Sequence, residues 1–230
     1  MANIKQIICL ANSRKLSGRC IAGRELTGSG RSSWVRPVSA RPSEEVSEYE
    51  RQYEDGSDPK VLDIMRVPVL SAKPKSYQPE NWLLDPNFYW ERAGRATWED
   101  LAMLKDDPPL LWANGHSSYN GLHDRVPLSM AEGFGCSLYL LHVRDLKLGV
   151  FAPGSAFGNP KRRVQAKFTH RGIRYALWVT DPDFEREYLA RGDGEYSIGE
   201  CYMTVSLGEP YEGHCYKLVA AVLTKERRGS

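Results

Sequence analysis

The sequence lacks several features that would each point to a different class of protein. No run of about 18 apolar residues is present, so we expect no transmembrane helix. No Cys-x-x-Cys pair is present, which argues against a cysteine zinc site. The start of the chain lacks the cleavage region of a signal peptide, so we expect a cytoplasmic protein. A Walker loop and a dinucleotide fingerprint are also missing, and we predict neither a metal nor a cofactor.

The cysteines are odd in number, and most are flanked by strand-like residues: Cys9, Cys20, Cys136, Cys201 and Cys215. We expect them to be buried free thiols in a reducing compartment rather than disulfides.

The net charge of +2 is small but unevenly distributed along the chain. Residues 1–43 carry a net charge of +7, residues 44–107 of −7, residues 108–178 of +6 and residues 179–230 of −4. Two basic blocks thus alternate with two acidic blocks, which indicates a duplicated design with a basic face. The acidic blocks offer surfaces for a protein partner. The low overall charge argues against strong binding to duplexes, which usually needs a large positive excess.

The second half of the chain predicts five strands and one helix. Apolar or alternating stretches predict strands over 136–151, 161–172, 173–180, 200–207 and 214–223. Between the third and fourth strands, Thr180 or Asp181 can cap a helix that has Pro182 in its first turn and ends at Gly192. This order of three strands, a helix and two strands is that of an OB-fold, a five-stranded Greek-key barrel.

The first half repeats the order as far as its fourth strand. Strands are predicted over 4–12, 18–26, 33–39 and 60–72. A helix is predicted over 42–58, with Ser43 as its cap and with Val46, Tyr49 and Tyr53 on one face. Trp34-Val35 and Trp178-Val179 fall at the end of the third strand in each half, which predicts equivalent corners of two related barrels. A single mixed β domain with two helices is the alternative.

Residues 105–127, in the middle of the chain, are predicted to be mostly loop by their Pro, Gly, Asn and Ser content. Thr97 and Asp100 form a capping box for a short helix that ends at Leu104. The fold class we predict is therefore mainly β, with two tandem OB-fold-like five-stranded barrels over 1–80 and 135–230. A tryptophan-rich linker over 81–134 is expected to pack between them.

Several stretches resemble the dual OB-fold domain proteins of bacteria and archaea. They are "IICLANSRKLSGRCIAGREL", "WVRPVS", "LWVTDP", "CYMTVSLGEP" and "CYKLVAAVL", and the resemblance covers nearly the whole chain. It implies two tandem OB-folds and a nucleic-acid-binding role, often linked to mobile-element or phage-defence gene clusters. It implies no established catalytic residues.

An OB-fold binds through the face of its second and third strands and through the loops that join strands 1–2 and 4–5. Single-stranded nucleic acid needs basic groups for its phosphates and aromatic plates for its bases. At those places the first half offers Arg14, Lys15, Arg19, Arg24, Trp34 and Arg36. The second half offers Arg162, Arg163, Lys167, His170, Arg174 and Trp178. The loop "GSAFGNPKRR" lacks the GK[ST] ending of a phosphate loop, but between two strands it can still contact a nucleic-acid backbone. Either tryptophan can instead serve only to fill the end of its barrel.

Three hypotheses follow. The first is a non-enzymatic module that binds single-stranded DNA or RNA along one basic groove. The second is a nucleotide or small-ligand sensor or adaptor, with a deep pocket lined by tryptophan and arginine. The third is a nuclease or nucleotide hydrolase, which requires His116, His123 and Asp124 to converge. A nucleophile pair of His214 with Cys215 is disfavoured, because neighbours on a strand point to opposite faces.

Overall fold

The structure, a computed structural model, describes residues 3–27 and 32–229. Within these ranges the chain divides into two compact units. The first comprises residues up to 104 together with 135–137 and 228–229, and the second comprises residues 105–134 and 138–227.

The first unit is a five-stranded barrel with OB-fold topology. Its elements are β1 (Asn3–Lys15), β2 (Gly18–Glu25), β3 (Trp34–Val38), α1 (Glu48–Arg51), β4 (Asp63–Ala72), β5 (Asn81–Leu84), β6 (Glu91–Arg95) and α2 (Trp98–Leu104). The strand order is β1-β2-β3-β5-β4, and pairing of β1 with β4 closes the barrel. All these pairs are antiparallel except β3–β5, which is parallel. The strand β6 adds to the open side of β4.

Alternation along the strands sends one set of side chains into this barrel. The buried cluster includes Ile7 and Cys9 of β1, Ile21 of β2 and Val35 of β3, each no more than 1% exposed. The neighbours of Val35 therefore point away from the core. Gly23 lets β1 and β2 approach closely, since a Cβ atom there would lie 2.1 Å from the carbonyl oxygen of Ile8.

The second unit closes in the same order. Its elements are β7 (Arg125–Pro127), α3 (Leu128–Ala131), β8 (Leu138–Phe151), β9 (Arg163–His170), β10 (Ile173–Val179), α4 (Pro182–Arg191), β11 (Gly194–Tyr211) and β12 (His214–Leu223), with 3-10 turns at Ser155–Phe157 and Glu226–Gly229. The strand β8 pairs with β9 and β11, β9 with β10, and β11 with β12, all antiparallel. A parallel pairing of β10 with β12 completes the ring. The predicted mainly β fold with two OB-like barrels is confirmed.

The helix between the third and fourth strands of the second unit forms as predicted. Asp181 accepts a hydrogen bond from the Phe184 amide at 3.3 Å, Pro182 occupies the first turn, and Gly192 ends the helix with a φ of 104°. The short helix α2 also has its predicted capping box: the amide and the hydroxyl of Thr97 both donate to the Asp100 carboxylate.

The helix predicted over 42–58 is much shorter in the structure. Only Glu48–Arg51 is helical, and the cap is Ser47 rather than Ser43. The reason is that the backbone N–H and C=O of Val46 both bond to Arg19 at 2.9 Å, which keeps this part of the chain extended. As a result Tyr49 does not share a buried face with Val46 and Tyr53, and it is 76% exposed.

The tryptophan-rich segment 81–134, expected to be a linker, is divided between the units. Its first part supplies β5, which pairs with β3 and β4 and is the fifth strand of the first barrel. Trp90 is fully buried in the core of that unit. Residues 105–134 belong to the second unit, where Trp112 packs against Tyr139 with ring centroids 4.7 Å apart.

The expected equivalence of Trp34-Val35 and Trp178-Val179 is wrong in register. Trp34 is the first residue of β3 and pairs only with β2, whereas Trp178 is the last but one of β10 and also pairs with β12. The parallel ladder of the first barrel instead begins at Arg36. Both tryptophans nevertheless lie on the outward side of the third strand, because Val35, Leu177 and Val179 are the buried residues beside them.

Candidate nucleic-acid interface

One side of β8, β9 and β10 gathers most of the second barrel's predicted site residues. Cross-strand partners share a face of a sheet. The registers pair Lys147 with Lys167 and Phe151 with Arg163 across β8 and β9, and pair Gln165 with Trp178 and Thr169 with Arg174 across β9 and β10. Alternation along the strands then places eight residues on the same face of the sheet, called here the outer face. They are Lys147, Phe151, Arg163, Gln165, Lys167, Thr169, Arg174 and Trp178. Strands two and three carry the ligand-binding face of OB-folds in general.

Basic side chains occupy the end of the outer face that lies toward Arg174. Lys147 and Arg174 are exposed, and Lys167 is partly exposed. Lys167 donates to Glu195, and this hydrogen bond holds the pKa of the Glu195 carboxyl below its usual value, with a smaller contribution from Lys147. Lys147 is absent from the predicted residues, because the long apolar strand β8 does not show in its sequence which side faces outward.

An arginine covers the tryptophan at the other end of the outer face. Trp178 is only 6% exposed, and the guanidinium carbon of Arg163 lies 4.3 Å from its ring centroid. Phe151 packs beside the same ring at 5.7 Å. A nucleobase can stack on Trp178 only by displacing Arg163, a cation–π contact worth about 0.5–2 kcal/mol.

Two further predicted residues of the second barrel bind within their own unit. His170 is 8% exposed, and its Nε2 lies 2.7 Å from the carbonyl oxygen of Pro108. Arg162 pairs with Asp193 and donates to the carbonyl of Leu189 at 3.1 Å, so it fixes the loop before β9 to the end of α4. Neither belongs to the open part of the outer face.

The first barrel carries the same arginine-on-tryptophan arrangement. Arg24 and Trp34 are cross-strand partners on β2 and β3, and the guanidinium carbon lies 4.6 Å from the ring centroid. Trp34 is 8% exposed. The two barrels thus repeat a covered tryptophan on the outward side of the third strand, although at different positions along it.

The remaining candidates of the first barrel fall into two groups. Arg14, Lys15 and Arg19 lie together at the turn between β1 and β2, where Arg14 is the cross-strand partner of Arg19. Arg36 does not join them: it is 2% exposed, pairs with Glu80 at 3.0 Å and donates to Ser137 at 2.9 Å. Its position next to Val35 placed it on the outward side, but these partners bury it.

Residues 113–127, called here the bridging segment, fill the gap between β10 and β12. The two strands pair directly only at Trp178 and Val179. Before that point, Leu122 exchanges two backbone hydrogen bonds with Ala176 of β10, and the carbonyl of Asp124 accepts from the Lys217 amide of β12. The strand β7 then pairs with the start of β12. The wall of the barrel between β10 and β12 is therefore extended by chain that precedes its first strand.

The Lys217 side chain fixes the start of the bridging segment from inside the unit. Its ammonium donates to the carbonyl of Ala113 at 2.6 Å and to Oδ1 of Asn114 at 3.0 Å. The residue is 0% exposed. Burial lowers the pKa of Lys217 to about 7, although the nearby Asp124 carboxylate acts in the opposite direction.

The three side chains of the enzyme hypothesis have separate partners. Asp124 is fully buried and accepts from the Ser118 amide at 2.7 Å and from the Ser118 hydroxyl. The His123 ring accepts from the Gly115 amide at 3.1 Å, and the His116 ring faces His214 with centroids 6.0 Å apart. Within residues 3–27 and 32–229, no group of three or more His, Cys, Asp and Glu side chains is arranged to hold a metal.

The cysteines are free thiols, as expected. Cys9, Cys201 and Cys215 are buried, whereas Cys20 and Cys136 are only partly buried, so the expected burial is wrong for these two. Burial raises the pKa of Cys201 to about 12 and that of Cys215 to about 11. Thiols with raised pKa values are poor nucleophiles near neutral pH, because the thiolate is the reactive form.

Comparison with known proteins gives one family. The sequence model of the family described as "Dual OB-containing domain" matches residues 5–222. No curated protein and no solved structure matches the chain. In the part of the chain that the structure describes, no helix has the length and apolarity needed to span a membrane.

Proposed function

Because the chain belongs to the dual OB-containing domain family, we propose that it is a non-enzymatic module that binds single-stranded DNA or RNA. OB-folds in general bind oligonucleotides and oligosaccharides. The observation that carries the proposal is the register of β8, β9 and β10, which gathers Lys147, Lys167 and Arg174 on the outer face. Ammonium and guanidinium groups at such a face bind phosphates and release counterions.

The choice of a single strand over a duplex follows from charge. The net charge of +2 is low for a duplex-binding protein, and the cations of the outer face lie beside Glu195. A single strand needs only a short basic track and adjacent aromatic rings. The protein partner expected for the acidic blocks, and the mobile-element or phage-defence setting implied by the resemblance, stay predictions.

The test is fluorescence anisotropy of labelled single-stranded DNA and RNA over a salt series. We expect affinity to fall as salt rises, with a slope of about 0.7 in the logarithm for each phosphate contact. Lys147→Glu with Arg174→Glu reverses two exposed charges of the outer face and should weaken binding roughly tenfold or more at low salt.

The matched control is Arg186→Glu with Lys225→Glu. It changes the net charge by the same amount, on α4 and after β12, and should leave affinity nearly unchanged. Equal losses in the two double variants would mean that only net charge matters, and the outer face would be rejected as the site. If neither strand binds the wild type at low salt, the proposed function is wrong.

A further inference from the structure

Two aromatic side chains of the second unit are exposed in a way that packing does not explain. Tyr119 is 76% exposed and Phe157 is 73% exposed. Their ring centroids lie 5.4 Å apart with an interplanar angle of 71°, so they form an edge-to-face pair. Residue Tyr119 belongs to the bridging segment and Phe157 to the β8–β9 loop, so two distant parts of the sequence meet at this pair.

The backbone on either side of Tyr119 is held firmly. The Ser118 amide donates to the buried Asp124 carboxylate, and the Gly121 amide donates to the Ser118 carbonyl oxygen at 3.2 Å. A Cβ atom on Gly121 would lie 2.0 Å from the Asp124 carboxylate, so this turn needs glycine. The turn therefore holds Tyr119 in place although its ring has little contact with the protein.

Phe157 is also carried by an ordered turn. It closes a 3-10 turn whose end is marked by Gly158 in the left-handed conformation at a φ of 75°. The Phe157 amide donates to the Gly154 carbonyl at 2.9 Å, and the Asn159 amide donates to the same oxygen at 3.0 Å. These bonds shape the loop without burying the phenylalanine ring.

Asn120 joins the two turns to the outer face. Its side-chain amide donates to the Pro153 carbonyl at 3.1 Å, and its own carbonyl accepts from the Gln165 side chain at 2.6 Å. Gln165 is the cross-strand partner of Trp178. The aromatic pair therefore adjoins the end of the outer face where Trp178 itself is covered by Arg163.

We propose that Tyr119 and Phe157 form a platform on which unpaired bases of a single-stranded nucleic acid stack. This inference rests on the proposed function. Aromatic rings carried on ordered turns are already presented to the ligand, and each base they stack contributes substantially to affinity. Lys161, exposed in the same loop, and Arg163, beside Trp178, supply positive charge for the neighbouring phosphates.

The experiment separates stacking from charge by using two labelled probes of about 12 nucleotides, a length within the usual site size. One is oligo-dT, and the other is a strand of the same length in which every sugar lacks its base. In the full chain, Tyr119→Ala with Phe157→Ala should raise the Kd for oligo-dT by about 10- to 100-fold. The Kd for the abasic strand should not change, because the phosphate contacts remain.

Two controls accompany this double variant. Tyr49→Ala with Phe88→Ala removes one tyrosine and one phenylalanine that are also exposed, in the first unit, and should leave both Kd values unchanged. Tyr119→Phe with Phe157→Tyr keeps both rings and should bind oligo-dT like the wild type.

The outcomes distinguish the platform from the proposed function. If the wild type binds oligo-dT and the alanine double variant binds it equally well, the platform is wrong while nucleic-acid binding stands. An equal loss of both probes would also overturn stacking, because it would mean that the variant disturbs charge or fold. If the wild type binds neither probe nor the single-stranded RNA of the salt series, the proposed function and the platform fail together.

Discussion

Lys217 is a residue whose charge state depends strongly on the fold. Its ammonium is completely buried and is held by two oxygens of the bridging segment. Those hydrogen bonds offset part of the cost of removing the charge from water, which is large for an ammonium group. The remaining cost appears as the lowered pKa, so Lys217 changes protonation near neutral pH in the folded protein and only near 10.5 in the unfolded chain.

This difference predicts how stability depends on pH. Between pH 7 and about 10 the unfolded state binds more protons than the folded state at Lys217, so the free energy of unfolding should rise with pH. The slope that this residue contributes is at most about 1.4 kcal/mol per pH unit. Chemical denaturation of the wild type and of Lys217→Met over this range measures the difference between them.

In that comparison the wild type should gain stability relative to Lys217→Met as the pH rises. Lys225→Met removes an exposed lysine and should show no such pH-dependent difference. A constant difference between wild type and Lys217→Met at all pH values would contradict the lowered pKa. The methionine variant should be less stable overall, since the Ala113 carbonyl and Asn114 lose a donor.

At the scale of elements, α4 is tied to the barrel by the carboxylate of Asp181. Besides capping the helix, this carboxylate accepts from the Val222 amide of β12 at 3.2 Å and forms an ion pair with Arg227. Asp181 is 2% exposed and the Arg227 side chain 15% exposed, so the pair is largely desolvated. A single side chain therefore joins the helix start, the last strand and the 3-10 turn that follows it.

Asp181→Ala should lower the free energy of unfolding by about 3–5 kcal/mol, because it removes one partner of a largely buried ion pair together with a helix cap. Asp181→Asn keeps a cap acceptor and should cost less. Urea unfolding of both variants checks this. Equal and small losses would show that Arg227 and the Val222 amide find other partners.

Sequence reasoning succeeded where local chemistry determines the structure. The cap, proline and glycine of α4 are local signals, and the alternation of β9 gives its outward face directly. It failed at β5, a four-residue strand whose parallel partner β3 is distant in sequence, and whose residues show no alternation in a tryptophan-rich stretch. It also failed at Tyr119 and Phe157, because no pattern in the sequence shows that two loop residues remain exposed beside each other.

At the outer face, too, the sequence predicts which residues are present but not which of them are exposed. Arg163, Lys167, Arg174 and Trp178 were predicted and lie on it, but the covering of Trp178 by Arg163 depends on three-dimensional contacts. Arg36 and His170 were predicted to bind nucleic acid, but both are buried. The partner of Arg36 is Glu80, 44 positions away, and the partner of His170 is Pro108, 62 positions away. Residue type and the alternation of side chains along a strand identify which face of the sheet a residue lies on. Whether that residue is exposed to solvent depends on other parts of the chain that pack against the face.

At the scale of the whole molecule, the second unit has a boundary that strand order alone does not give. Its five barrel strands begin at Leu138, but the bridging segment completes the sheet between β10 and β12 and supplies the partners of Lys217. Leu111 and Val126, both fully buried, also come from before β8.

A fragment of residues 105–227 should therefore fold, whereas a fragment of residues 138–227 should not. The shorter fragment lacks the chain that pairs with β12 and leaves the Lys217 ammonium without Ala113 and Asn114. Thermal unfolding followed by circular dichroism should give a cooperative transition for the longer fragment only. A cooperative transition at the same temperature in both would show that the bridging segment contributes nothing to the barrel.

The bridging segment also has a consequence for how the protein is made. A ribosome releases residues 113–127 before β8, but their partner Lys217 lies 103 and 104 positions further along the chain from Asn114 and Ala113. Contacts of such separation form slowly, since the entropy of closing a long loop precedes any gain. The nascent chain therefore carries the bridging segment without its β12 partner until Lys217 has emerged, and this interval carries a risk of aggregation.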